Sequence, residues 1–70
     1  MDFDSISQAC LLVYDILKDD KDSEAIIELM DTADGDAAIK EGLQKAVARL
    51  DIVNPAVARM VREKAKGFAF

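Results

Sequence analysis

The sequence predicts an all-α domain, a compact bundle of about four short helices. Apolar residues recur at helical spacing in four segments, and 70 residues contain one proline and three glycines. Apolar residues make up 51% of the chain, whereas a domain this small buries only about 60% of the surface that its unfolded form exposes. We therefore expect residues 1–70 to form one domain that leaves apolar surface for a second chain to cover.

The first helix is predicted to begin at Ser5, because Ser5 and Gln8 have the capping-box spacing that satisfies unpaired backbone amides. One face then carries apolar residues at helical spacing, namely Ile6, Ala9, Cys10, Val13, Ile16 and Leu17. Three more, Leu11, Leu12 and Tyr14, extend around much of the remaining surface. A helix that is apolar nearly all round is central to its fold or lies between chains, so we expect an intermolecular contact at Leu11.

The second and third helices are separated from the first by a polar segment, residues 18–22, which is expected to be a solvated connection. Ser23 can cap the second helix, which should end near Asp34 and Gly35. Asp36 can cap the third, which should run to about Leu50. Its predicted core stripe is Ile39, Leu43, Ala46, Val47 and Leu50, with Lys40, Glu41, Gln44, Lys45 and Arg49 outside the stripe.

The fourth helix is predicted from Asn54 and Pro55, since asparagine caps well and proline is tolerated at the first helical position. It should run to about Lys66, with Gly67 closing it. The residues expected to face the core are Val57, Met60, Val61 and Ala65, and those expected on the opposite side are Arg59, Arg62 and Lys66. An apolar tail, Phe68 and Phe70, should fold back on the core or dock onto a neighbouring chain.

Catalysis is not expected from this composition. The chain has no histidine, the commonest general base and metal ligand, and its single cysteine, Cys10, is interpreted as a small buried hydrophobic residue. A calcium-loop spacing runs through Asp31, Asp34, Gly35, Asp36 and Glu41, but Met30 occupies its first ligand position. Helix termination and capping explain the same residues, so we expect neither a metal nor a cofactor.

Charge is divided unevenly along the chain, whose net charge is −5. Residues 1–36 carry −9 and residues 37–70 carry +4, which suits head-to-tail packing or two separate charged surfaces. The longest apolar run, residues 9–14, is far shorter than the roughly 20 residues of a membrane span. Because the N-terminus is acidic rather than basic, no secretory signal is predicted either, and we expect a cytoplasmic protein.

The segment 46–63 resembles the helix-turn-helix of bacterial regulators. In such motifs one helix packs through small and branched residues, a short turn follows, and the next helix enters the DNA major groove. The residues at the motif's core positions are Val47, Leu50, Ile52, Val57 and Met60, and those that would face DNA are Ala56, Ala58, Arg59 and Arg62. Asp51 replaces the usual glycine of the turn, and Val47 replaces the usual alanine.

Three functions are compatible with these residues. The first is a small regulatory or inhibitory protein, similar to inhibitors encoded by phages or other mobile elements, that self-associates and binds a protein partner. Its interface would comprise Leu11, Leu12, Tyr14, Phe68 and Phe70. The second is a DNA-binding regulator that uses Arg59, Arg62 and Lys66, a basic face that would equally suit an acidic partner. The third is an acidic mimic of nucleic acid, carried by Asp15, Asp19, Asp20, Asp22, Glu24 and Glu28.

Overall fold

The computed structural model describes the backbone of residues 3–66 and the side chains of residues 5–66. Within this part of the chain there are four α-helices and no strand, so the predicted all-α bundle is confirmed. The helices are α1 (Phe3–Leu17), α2 (Glu24–Asp31), α3 (Asp36–Val53) and α4 (Pro55–Lys64), with a 3-10 turn at Lys21–Ser23 between the first two. The predictions for Gly67, Phe68 and Phe70 lie outside the described residues.

The core lies where α1, α3 and α4 meet, and α2 packs mainly against α3. Its largest fully buried apolar side chains are Leu17, Leu43 and Leu50. The remaining buried apolar residues are Ile6, Ala9, Val13, Ala46, Val47, Ala58, Val61 and Ala65. The half-buried residues Ile26, Ile27 and Met30 of α2 pack on the outside of this cluster. The periodic faces predicted for α1 and α3 are therefore the faces that pack.

The helix ends differ from the prediction by a few residues. The first helix begins two residues before Ser5. The second ends at Asp31, where the Thr32 backbone N–H donates to the Glu28 carbonyl oxygen and the Ala33 N–H donates to that of Met30. Gly35, with φ of +93°, takes the N-cap position of α3 that was predicted for Asp36, and a side chain there would be strained. The third helix continues past Leu50 to Val53, so a single residue separates it from α4.

The predicted start of α4 is confirmed, but part of its predicted inner face is wrong. The Asn54 side chain accepts from the Val57 backbone N–H at 3.3 Å. Pro55 is the first helical residue, and the helix ends at Lys64, two residues before the predicted end. Met60 was expected in the core, yet its side chain is 47% exposed. The residues that face the core here are Ala58, Val61 and Ala65. Met60 lies two residues from Ala58, about 200° around the helix, and therefore points away from the core.

Gly42 of α3 packs closely against Met30 of α2. A Cβ atom at this position would lie 2.8 Å from the Met30 Cγ. We expect Gly42→Ala to lower the free energy of unfolding by about 1 kcal/mol, since an overpacking cost of about 1–3 kcal/mol outweighs a helix-propensity gain of about 1 kcal/mol. Urea unfolding followed by circular dichroism measures this change.

A Met30→Ala background provides the control for that substitution. With the methionine removed, Gly42→Ala should become stabilising, because only the gain in helix propensity remains. If Gly42→Ala stabilises the wild-type chain by the same amount as it stabilises Met30→Ala, the close packing of α2 on α3 is contradicted.

Candidate protein-interaction surfaces

A groove between α1 and α4 carries the most exposed large apolar side chain among residues 5–17 of the first helix. We call it the groove face and define it by its lining residues, Gln8, Leu11, Leu12, Asp15 and Lys64, which line an open surface depression of about 490 Å³. Leu11 is 66% exposed, whereas Leu12 is half-buried and packs against the core. The core-facing row of α1 occupies a different side of the helix, so Leu11 is left uncovered.

The polar rim of the groove face has a base near one end and an acid at the other. The Lys64 Nζ donates to the Gln8 Oε1 at 2.8 Å, and Lys64 has no carboxylate partner among residues 5–66. Asp15 lies 3.7 Å from the Lys18 Nζ, but both side chains are largely exposed, so this ion pair is weak. Gln8 and Asp15 are seven residues apart on α1, about 10 Å along its axis. The rim is therefore polarised along the helix.

Three further large apolar side chains are exposed at the end of α3 and on α4. We call this set the corner patch and define it by Ile52, Val53 and Met60, whose side chains are 72%, 42% and 47% exposed. The exposed Arg59, which precedes Met60 in α4, has no ion-pair partner within the described side chains. Ile52 was expected in the core of a helix-turn-helix, and that expectation is wrong. It lies two residues beyond Leu50, on the side of α3 turned away from the core.

Tyr14 belongs to the contact between α1 and α2 and not to the groove face. Its hydroxyl donates to the Asp31 carboxylate at the end of α2. Desolvation, reinforced by this hydrogen bond, raises the pKa of Tyr14 to about 12. The predicted interface is thus divided, since Leu11 and Leu12 share a groove while Tyr14 lines a different cavity. Phe68 and Phe70, its remaining members, lie outside the described residues.

That second cavity, about 200 Å³, is lined by Cys10, Tyr14, Met30, Ala33 and Ile39. Cys10 packs half-buried against the core, and burial raises the pKa of its thiol. A thiol that stays protonated is a weak nucleophile, which fits the interpretation of Cys10 as a small hydrophobic residue. Within residues 5–66 no three acidic, cysteine or histidine side chains are grouped so that they could hold a metal ion.

Two of the three basic side chains predicted to contact DNA or an acidic partner are engaged within the fold. Arg62 donates two hydrogen bonds to the Asp51 carboxylate, at 2.8 and 2.6 Å. The guanidinium holds the pKa of Asp51 below its usual value, and the carboxylate raises the pKa of Arg62. Lys66 lies 3.5 Å from Glu63, a pair exposed enough to be weak. This leaves Arg59 as the arginine of α4 without a carboxylate among the described side chains.

The α3–α4 pair also departs from the helix-turn-helix resemblance in its packing. Ala58, which was expected to face DNA, is fully buried, because it faces the core formed with α1 and α3. Asp51, expected in the turn, lies within α3, and the connection is Asn54 alone. The exposed residues of α4 are Pro55, Ala56, Arg59, Met60, Arg62 and Glu63. Since Arg62 is already bound to Asp51, this face offers few side chains free to read base edges.

The connection after α1 is joined to α3 by a cluster of charged and polar side chains that the sequence did not predict. We call it the Asp20 clamp and define it as Asp20, Asp22, Ser23 and Arg49. The Arg49 Nε donates to the Asp20 Oδ2 at 2.6 Å, and its Nη2 donates to the Asp20 Oδ1 at 3.2 Å and to the Asp22 Oδ2 at 3.3 Å. The fully buried Ser23 donates its hydroxyl to the Asp20 Oδ2 at 2.7 Å. Asp20 is thus an anchor for α3, not part of a solvated connection.

The Asp20 clamp also changes the expected roles of Ser23 and Arg49 and lowers the pKa of Asp20. Ser23 occupies the N-cap position of α2, but its hydroxyl is used by Asp20 and makes no cap hydrogen bond. Arg49, predicted to lie outside the core stripe in solvent, is only 25% exposed. Its guanidinium, together with the Ser23 hydroxyl, lowers the pKa of Asp20 to about 2.

Three of the six acidic residues proposed for nucleic-acid mimicry form ion pairs within the fold. Asp20 and Asp22 are bound by Arg49, and Asp15 lies beside Lys18. The remaining three, Asp19, Glu24 and Glu28, are exposed and have no ion pair within the described part of the chain. No helix of residues 3–66 combines the length and apolar character that crossing a bilayer requires.

Comparisons with known proteins give no relative for this chain: no family model, no curated protein and no solved structure matches it.

Proposed function

We propose that this chain is a small non-enzymatic domain that regulates or inhibits by binding protein. The observation that carries the proposal is the exposure of Leu11, Ile52 and Met60 on a fold whose core is already complete without them. Large apolar side chains that contribute nothing to the core, rimmed by charged residues, are typical of protein-binding surfaces. A protein partner would gain burial of these side chains at little conformational cost, because they stand on helices.

Two charged features support this function over the alternatives. In the Arg62–Asp51 and Arg49–Asp20 pairs the guanidinium groups are already bound to carboxylates, so they are not free to bind phosphate. The exposed base beside the corner patch, Arg59, stands next to Met60, and such pairing of an apolar side chain with an arginine is common at protein interfaces. Duplex DNA that bound in a salt-sensitive way through Arg59 would contradict this preference.

The test starts by identifying a partner through affinity purification from the native cell and then measures binding with both proteins purified. We expect Leu11→Asp or Met60→Asp to weaken binding at least tenfold, since a buried carboxylate without a partner is costly at an interface. Ala25→Asp on the exposed side of α2 is the matched control, and it should bind as the wild type does.

Thermal unfolding of all three variants separates loss of binding from loss of fold. Exposed positions change stability little, so the three unfolding temperatures should agree closely with the wild type. If the purified partner binds Leu11→Asp, Met60→Asp and Ala25→Asp with equal affinity, neither the groove face nor the corner patch is the interaction surface.

A further inference from the structure

We infer that the groove face binds a second copy of this chain, with α1 packed antiparallel against α1 of the second copy across a two-fold axis. The inference rests on the proposed function and names the partner of one of its two surfaces.

The spacing of residues on α1 suits a two-fold contact. In an antiparallel pair of helices, residues equally far from the crossing point on either side face each other. Gln8 and Asp15 are equally distant from the point between Leu11 and Leu12. A two-fold axis at that point therefore sets Leu11 of each chain against Leu12 of the other and brings Asp15 of each chain to Gln8 of the other.

The charges on the rim are complementary in the same arrangement. Gln8 holds the Lys64 Nζ at 2.8 Å, so the position opposite Asp15 in the second copy carries an ammonium group. Lys64 has a neutral acceptor and no carboxylate among the described side chains, and Asp15 has only a weak pair with Lys18. Two equivalent Asp15–Lys64 pairs would then flank a centre made by the leucines. An apolar centre with a charged rim is the usual composition of a protein interface.

The first measurement is sedimentation velocity of the full purified chain over a range of concentrations. We expect a reversible monomer–dimer equilibrium, and we expect Leu11→Asp to remove the dimer at every concentration tested. A monomer throughout the range, or a dimer that Leu11→Asp leaves unchanged, would overturn the inference.

Charge reversal tests the antiparallel register directly. Asp15→Lys alone and Lys64→Glu alone should each weaken the dimer about tenfold, because each replaces two attractive pairs with two repulsive ones. The double variant restores opposite charges at both sites, and its dimer should be within a few-fold of the wild type. Failure of the double variant to recover would rule out this register.

Glu28→Lys is the control for net charge, because it changes the charge by the same amount as Asp15→Lys at an exposed position away from the groove. It should leave the dimer unchanged, and an equal loss of dimer in Glu28→Lys would contradict a specific Asp15–Lys64 contact. The outcome is separable from that of the proposed function. A monomeric wild type whose purified partner is still lost in Leu11→Asp would end the self-association inference and leave the protein-binding function standing.

Discussion

Leu50→Ala is expected to destabilise this domain by about 2–5 kcal/mol, the usual cost of truncating a fully buried leucine. Leu50 is fully buried in the core and lies on α3, which contacts each of the other three helices. A chain of 70 residues has a total stability of about 4–10 kcal/mol, so the loss is a large fraction of the whole. Urea unfolding monitored by far-ultraviolet circular dichroism gives the change directly.

Leu11→Ala is the matched control for that substitution, since it removes the same atoms from a side chain that is 66% exposed. Measured at concentrations where the chain is a monomer, it should change the free energy of unfolding by less than about 0.5 kcal/mol. Equal losses from Leu50→Ala and Leu11→Ala would mean that Leu11 is packed in the monomer, contrary to the fold described above.

Asp20→Ala is expected to have the second-largest effect on stability. It removes the carboxylate that binds Arg49 and leaves the fully buried Ser23 hydroxyl without its acceptor. An unsatisfied buried hydroxyl costs about 1–3 kcal/mol by itself. Adding Ser23→Ala removes that hydroxyl, so the double variant should be more stable than Asp20→Ala alone. A double variant less stable than Asp20→Ala would contradict this role of Ser23.

The same cluster predicts an acid-labile fold. The Arg49 guanidinium lowers the pKa of Asp20 from an ordinary value of 3.8 to about 2. A carboxyl group whose pKa is lowered by folding stabilises the fold above its unfolded pKa, and that contribution is lost as the pH falls from about 4 to about 2. Stability of the wild type should decline through this range more steeply than that of Asp20→Ala. Parallel pH profiles for the two proteins would show that the clamp is not formed in solution.

The sequence predicted those features of the fold that depend on residues within a single helix. The stripe of α3 became the core because its spacing alone sets which side chains face inward, as for Leu43 and Leu50. Asn54 and Pro55 predicted the start of α4, since capping depends on neighbouring backbone atoms. The exposure of Leu11 was also predicted, because it lies nearest the polar side of α1.

The remaining features depend on how the helices pack, which spacing within one helix does not determine. Asp20 and Arg49 are 29 residues apart in sequence, so nothing local to either one indicates that they pair. Met60 and Ile52 fit a helical stripe as well as the alanines do, and the small Ala58 and Ala65 fill the inward positions of α4 instead. The groove face likewise needs Lys64, which lies 56 residues from Gln8, and sequence reasoning did not connect them.

Leucine methyl spectra by nuclear magnetic resonance test the central claim most directly, because the chain carries leucines in the core and on the groove face. In dilute protein a soluble paramagnetic agent should broaden the Leu11 methyl signals and spare those of Leu17, Leu43 and Leu50. As the concentration rises, Leu11 should become protected while the core signals stay unchanged. Leu11 methyl groups that are shielded in the dilute monomer, or that stay fully accessible at every concentration and with the purified partner bound, would contradict the account.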